Sequence, residues 1–199
     1  MTVSDRGPTQ CQSPASETFA ALEPVTAKTL KDAVIQKLGP FTPESAVSAY
    51  RRAVEPWFPV ISELGSRVPA TCDETSLDVA LLCLSILLFT TSPSSTTMND
   101  DITSGLEILY LQTKSSLAFA EGLGLNSVQI VQSRILLTLF EASHGFYPAA
   151  YISIGATLRA ADALEVHPIE DAVQPYCSNE AITYEETVLM WCGILVLDR

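Results

Sequence analysis

The stretch Leu77-Asp78-Val79-Ala80-Leu81-Leu82-Cys83-Leu84-Ser85-Ile86-Leu87-Leu88-Phe89 decides how this chain folds. Apolar side chains fill nearly every position, so it shows neither the alternation of a strand nor the single stripe of a surface helix. The run is too short to span a bilayer and reads as a helix covered on all sides. Thr71 and Glu74 stand ahead of it at capping-box spacing. A helix of this kind needs a shell, and the flanking sequence supplies one made of further helices.

Upstream, Met1 to Pro24 carries Pro8, Pro14 and Pro24 among Ser, Thr and Gln, and residues 1–25 read as a flexible lead-in. Leu, Val and Ile recur at helical spacing from Ala27 to Leu38, and Gly39-Pro40 stops that helix. Thr42-Pro43 caps the next, with proline in the first turn where its missing N–H costs nothing. This helix runs through Tyr50 to about Glu55. Pro56 and Pro59 bracket Trp57-Phe58, which places that aromatic pair in a rigid turn packed back on the helices.

Downstream, Thr91 to Asp100 reads as an exposed loop. A helix from Asp101 to Glu121 follows and ends at Gly122-Leu123-Gly124. Asn126 and Gln129 are expected to cap the next helix, whose Ile130, Val131, Ile135, Leu136, Leu139 and Phe140 form a wide apolar face, and Gly145 ends it. Pro148 restarts a helix through Leu158 and Leu164, with Ala149, Ala150, Ser153, Gly155 and Ala156 small enough for a close helix crossing. Glu165 to Thr183 is acidic and proline-bearing, hence a long connection. Thr183 and Glu186 cap the last helix. No strand pattern competes anywhere, so the expected fold is all-α, built of stacked antiparallel helical hairpins. The apolar run Val188 to Leu197 reads as a helix entering a core, which predicts that residues 26–199 belong to a larger, here incomplete, helical domain.

The 199 residues hold 11 Lys and Arg against 23 Asp and Glu, a formal charge of -12, with 47% apolar residues. Such a composition suits a packed core. It also repels phosphate backbones, whose neutralisation by Lys and Arg drives most nucleic-acid affinity. DNA binding by these residues themselves is therefore not expected. The five cysteines, Cys11, Cys72, Cys83, Cys177 and Cys192, are widely spaced without a CxxC. Cys83 and Cys192 lie in apolar runs and read as small buried thiols. The start shows no basic stretch followed by an apolar one, which fits an intracellular, reducing compartment.

Few residues invite chemistry. Asn99-Asp100-Asp101 is reminiscent of aspartate-rich magnesium motifs, but Ser104 follows where a further carboxylate is needed. The pair reads instead as carboxylates facing a helix dipole. His144 sits in the last turn of its helix and reads as a cap on carbonyls, with Glu141 three residues earlier on the same face. Gly122 and Gly124 form a GxG preceded by a helix rather than a strand, which excludes the dinucleotide reading. Ser115, Ser116 and Ser153 lack a nucleophile-elbow context. Arg51-Arg52 is too little for a nucleic-acid patch, and Trp191 reads as core. No catalytic, cofactor-binding or metal-ligating residue is assigned.

Three stretches together resemble the fungal-specific transcription factor domain, the middle homology region of Zn(II)2Cys6 binuclear-cluster regulators. They are Tyr110 to Gly122, then His144-Gly145-Phe146-Tyr147-Pro148-Ala149-Ala150-Tyr151, and Trp191-Cys192-Gly193-Ile194-Leu195-Val196-Leu197-Asp198-Arg199. The segment around Trp57 is similar to that region's opening, and Asp78 to Leu88 to its first core helix. The likeness covers roughly residues 40–199. It implies that Trp57, His144, Gly145, Tyr147, Pro148, Tyr151, Trp191, Asp198 and Arg199 are structural signature residues, with Asp198 and Arg199 joining helices at the domain centre.

The resemblance further implies a nuclear helical regulatory domain that binds an effector or damps activation, in a regulator of the style that controls specialised-metabolite gene clusters. Protein partners follow, including homo- or heterodimers with related regulators, and no membrane. The family's CxxCxxxxxxC cluster is absent here, since Cys11 stands alone. Zinc and DNA contact would belong to a separate cluster, so no cofactor is expected in this chain. The basic residues usual between Glu185-Glu186 and Trp191 are also missing. The alternative reading is a stand-alone helical dimerisation module that modulates full-length relatives.

Overall fold

The computed structural model describes residues 26–62, 64, 75–91, 100–165 and 184–199, with the backbone alone at 100–104. The lead-in, the Thr71 and Glu74 pair, Cys11, Cys72, Cys177, His167 and the expected loops at 92–99 and 166–183 lie outside the described residues.

Seven helices and no strand make up the described residues. They are α1 (Ala27–Leu38), α2 (Pro43–Ala53), α3 (Leu77–Thr90), α4 (Asp100–Gly122), α5 (Val128–Ser143), α6 (Tyr147–Asp162) and α7 (Tyr184–Leu197). The protein is all-α, as its sequence pattern implies. Local chemistry sets the boundaries. Thr26 and Thr29 form a reciprocal capping box on α1, and the Thr42 hydroxyl accepts from Ser45 N–H at the start of α2. The cap of α5 falls one residue later than expected. Ser127, not Asn126, accepts from Ile130 N–H. Asn126 instead reaches across the hairpin and donates its side-chain amide to the Ala160 carbonyl at 2.8 Å.

The helix over 77–90 is central. Val79 through Ile86 and Leu88 are all buried, and α3 packs against α1, α2, α4 and most extensively α5. Helix α5 is the second member of this spine, touching α3, α4, α6 and α7. Burying each large apolar side chain here contributes roughly 1.5–3 kcal/mol. Around the spine run antiparallel hairpins. Along α4 and α5, Glu121 pairs with Arg134 while the earlier Lys114 pairs with the later Glu141. Helices α5 and α6 meet at a tight turn at one end and through Asn126 and Ala160 at the other.

An extended segment after α2 crosses this core, and its backbone is buried. Tyr50 Oη accepts from the N–H groups of Val60 and Ile61 at 2.9 and 3.1 Å, and Gln132 Nε2 donates to the Val60 carbonyl at 3.1 Å. Gln132 also donates to the buried Glu186 carboxylate of α7 at 2.8 Å. Buried backbone polar groups must find partners, and these side chains supply them. Phe58 joins the core, whereas Trp57 stays largely exposed, its Nε1 donating to Ala53 O at 2.6 Å.

Helix α6 packs extensively against α5, though Gly155 is not the point of closest approach, since a Cβ added there would meet only Arg159 at 3.7 Å. A separate close approach lies at Gly193 of α7, where a Cβ would come within 2.6 Å of Val60 Cγ1 and 3.5 Å of Ile135 Cγ2. One burial expectation changes. Cys83 is buried, but Cys192 is exposed. It follows the apolar run of α7 onto a side that no described residue covers.

Candidate functional site

The turn between α5 and α6 gathers more of the expected residues than any other place. Gly145 has φ +73°, the left-handed conformation that glycine adopts without strain. Around it Phe146 N–H donates to Glu141 O at 2.9 Å and Gly145 N–H to Ala142 O at 3.3 Å, the paired bonds of a Schellman ending. Gly124 closes α4 in the same manner, with Leu125 N–H on Ala120 O at 3.0 Å and Gly124 N–H on Glu121 O at 2.9 Å. Tyr147 and Pro148 then open α6.

His144 is the C-cap of α5, its Nδ1 2.9 Å from the Phe140 carbonyl oxygen and its ring stacked on Phe140 at 4.0 Å between centroids. Phe146 leans on Tyr110 and Phe140, with centroids at 5.2 and 6.3 Å. His144 and Glu141, one turn apart, do not pair. Each is committed elsewhere.

Glu141 is fully buried beneath these rings. Its Oε1 accepts from Tyr110 Oη at 2.7 Å and from Lys114 Nζ at 2.6 Å, and Lys114 also donates to Tyr110 Oη at 3.2 Å. Glu141 Oε2 has no hydrogen-bond partner among the described residues. Burial pushes the Tyr110 hydroxyl above its usual range, its bond to Glu141 adds to this, and Lys114 opposes it. For Lys114, burial works against the charge, but the bonds to Glu141 and Tyr110 outweigh it and hold the ammonium above the ordinary lysine range. This cluster ties α4 to α5 by a charge-assisted network.

Beside it lies a groove of about 160 Å³ between α4 and α6, floored by α5. Lys114, Leu117, Ala118, Glu121, Arg134, Leu137, Ile152, Ser153, Ala156 and Thr157 line it. A shallower depression opens at the turn, edged by Glu107, Tyr110, Phe146 and Pro148.

The remaining signature residues sit apart. Tyr147 and Tyr151 are 79% and 76% exposed on α6. Trp57 lies against Phe58 and Phe89. Trp191 packs partly buried on the core, while Asp198 and Arg199 are exposed at the end of α7. The structure thus brings together His144, Gly145, Tyr147 and Pro148, and leaves Trp57, Trp191, Asp198 and Arg199 separate. Asp100 begins α4. Among the described residues no group of three or more His, Cys, Asp or Glu is placed to hold a metal ion, and no helix is long and apolar enough to cross a membrane.

Sequence reasoning missed Gln132, Glu186, Gly193 and the Tyr110–Lys114–Glu141 cluster. Lys114 is the one cation of α4 and Glu141 the one anion of α5, a signal that points to a pair, but they stand 27 positions apart in sequence.

No protein-family model and no solved structure matches the chain. It is 30% identical over 120 residues to "Transcription factor BOA15" of Botryotinia fuckeliana (strain B05.10). That match covers 59% of this chain and 64% of the relative, just under two thirds of the relative's length. The fold is a helical spine with a buried polar cluster, and the relative it resembles is named as a transcription factor.

Proposed function

We propose that this chain is the regulatory portion of a fungal transcription regulator, acting in the nucleus through protein contacts made by its helical surface. The observation that carries this reading is the likeness to a curated transcription factor, at 30% identity over 120 residues. The residue pattern around Gly145 and Trp191 supports the finer assignment to the middle homology region of zinc-cluster regulators. The formal charge of -12 argues that duplex DNA is held by another element, a zinc-binding cluster of the kind these residues lack. Zinc would belong to that cluster. The reading is not enzymatic, since Glu141 is engaged by Lys114 and Tyr110, and His144 lies against a backbone carbonyl. Control of a specialised-metabolite gene cluster is the expected biological setting. Deleting the gene in its native host and sequencing RNA tests this. A restricted set of transcripts, concentrated in one biosynthetic gene cluster, should change, and an unaltered transcriptome would refute it.

A second reading, a helical module that dimerises with itself or with related regulators, is favoured by one observation. Cys192, Leu195 and Val196 lie exposed at helical spacing on α7. Sedimentation of the wild type against Leu195→Asp would show a concentration-dependent dimer lost in the variant. A monomer at every concentration would dismiss it.

A further inference from the structure

Between Arg67 and Arg199 the chain holds three basic residues, Lys114, Arg134 and Arg159. Two of them, Lys114 and Arg134, line one groove, while Arg159 lies on α6 beside Gly155, outside that lining. On a chain of formal charge -12 both groove cations are already paired, with Glu141 and Glu121.

The arginine at the groove's floor is incompletely satisfied. The Arg134 side chain is only 13% exposed and donates from Nη2 to Glu121 Oε2 at 2.8 Å. Its Nε is buried without a hydrogen-bond partner among the described residues. A buried donor lacking an acceptor is unfavourable, and a guanidinium is shaped to hold a carboxylate by two parallel bonds. The rest of the lining is mostly apolar, with Leu117, Leu137 and Ile152 forming the walls.

We propose that this groove binds a small monocarboxylic acid, its carboxylate taken by Arg134 beside Lys114 and its hydrocarbon tail lying along Leu137 and Ile152. Size and the unpaired Arg134 donor select that class. The space of about 160 Å³ compares with the roughly 150 Å³ cavity that accommodates benzene, so the ligand has about six to ten non-hydrogen atoms. One guanidinium nitrogen left without a partner among the described residues, beside two ion pairs, matches a single carboxylate rather than the doubly charged phosphate monoester. This inference stands on the groove alone and does not depend on the transcriptional reading.

Calorimetric titration of the full chain with benzoate and with 4-methylpentanoate tests it, using benzyl alcohol as the neutral counterpart. Both acids should bind saturably at one site and the alcohol should not. Arg134→Lys keeps the charge but loses the fork and should weaken binding about tenfold. Ala156→Leu fills the groove and should abolish binding. Glu121→Gln removes a competing carboxylate from a solvent-exposed position and should tighten binding, a gain that a loss of folding cannot produce. The absence of saturable binding by either acid would overturn the proposal. So would equal binding of the alcohol, or unchanged affinity in Arg134→Lys with an unchanged circular-dichroism spectrum. Binding of a short Glu- and Leu-rich helical peptide in place of both acids would overturn it in favour of a protein partner.

Discussion

Helices α3 and α7 are both strongly apolar and end in different surroundings. Both are Leu-, Ile- and Val-rich with little sidedness, and from sequence both read as core. Helix α3 lies inside the shell of α1, α2, α4 and α5, and its residues from Val79 to Ile86 are buried. Helix α7 buries Glu186, Thr187, Met190, Gly193 and Ile194, while Leu195 and Val196 remain 56% and 63% exposed. Apolar composition states that a helix tends to be covered. Which neighbours cover it is a property of topology. One consequence is that α3 carries stability, while the exposed side of α7 is available for contact.

The largest effect should come from testing that difference directly. Leu84→Ala or Ile86→Ala in α3 removes a fully buried side chain and is expected to destabilise by about 2–5 kcal/mol. Leu195→Ala in α7 should change stability by no more than about 0.5 kcal/mol. Denaturant midpoints of the three variants settle the matter, and an equal loss at Leu195 would mean that this face is covered in solution.

Next in size is the polar tie between α4 and α5. Lys114→Met leaves the buried Glu141 carboxylate with Tyr110 as its remaining partner. Breaking a fully buried pair costs about 3–5 kcal/mol, but Lys114 is 37% exposed, so about 2 kcal/mol is expected. Lys114→Met combined with Glu141→Leu should recover part of that loss in a double-mutant cycle.

Smaller again is a contrast between two helical glycines. Gly193→Ala in α7 puts a methyl group 2.6 Å from Val60 and should destabilise by about 1–3 kcal/mol. Gly155→Ala in α6 meets open space apart from Arg159 and should stabilise by about 0.5–1 kcal/mol. Thermal melts of the two variants should therefore move in opposite directions.

The smallest effect is on pH dependence. Tyr110 and Lys114 both hold their protons more tightly in the folded protein than in the unfolded chain. Their contribution is complete below the unfolded values of 10.0 and 10.5 and is lost as pH rises through the higher folded ones. Lys37, which burial holds below the ordinary lysine range, acts with the opposite sign. Unfolding midpoints should thus fall in strongly alkaline solution, and less steeply in Lys114→Met.

Much of the fold was legible because helix signals are local. The apolar run at 77–89, the glycine stops at 39, 124 and 145, and Thr42-Pro43 each act within a few residues of themselves. The displaced cap was misread for a related reason. Ser127 and Asn126 are both good capping residues, and only the tertiary contact with Ala160 assigns them different tasks. The groove and the buried cluster were not legible. Lys114 and Glu121 stand far from Arg134 and Glu141 in sequence, and the antiparallel hairpin of α4 and α5 brings them to one place. The Gly193 crossing was equally hidden, since its neighbours Val60 and Ile135 come from other elements.

The proposed role is regulation of transcription by this helical core, with DNA held by another element. Fusing the chain to a heterologous DNA-binding domain and measuring a reporter in a fungal host tests it most directly. The account predicts that the fusion shifts reporter output several-fold relative to the DNA-binding domain alone, and that Leu84→Asp, which breaks the α3 core, removes the shift. Output identical to that of the DNA-binding domain alone, with the folded fusion present in the nucleus at equal level, would contradict it.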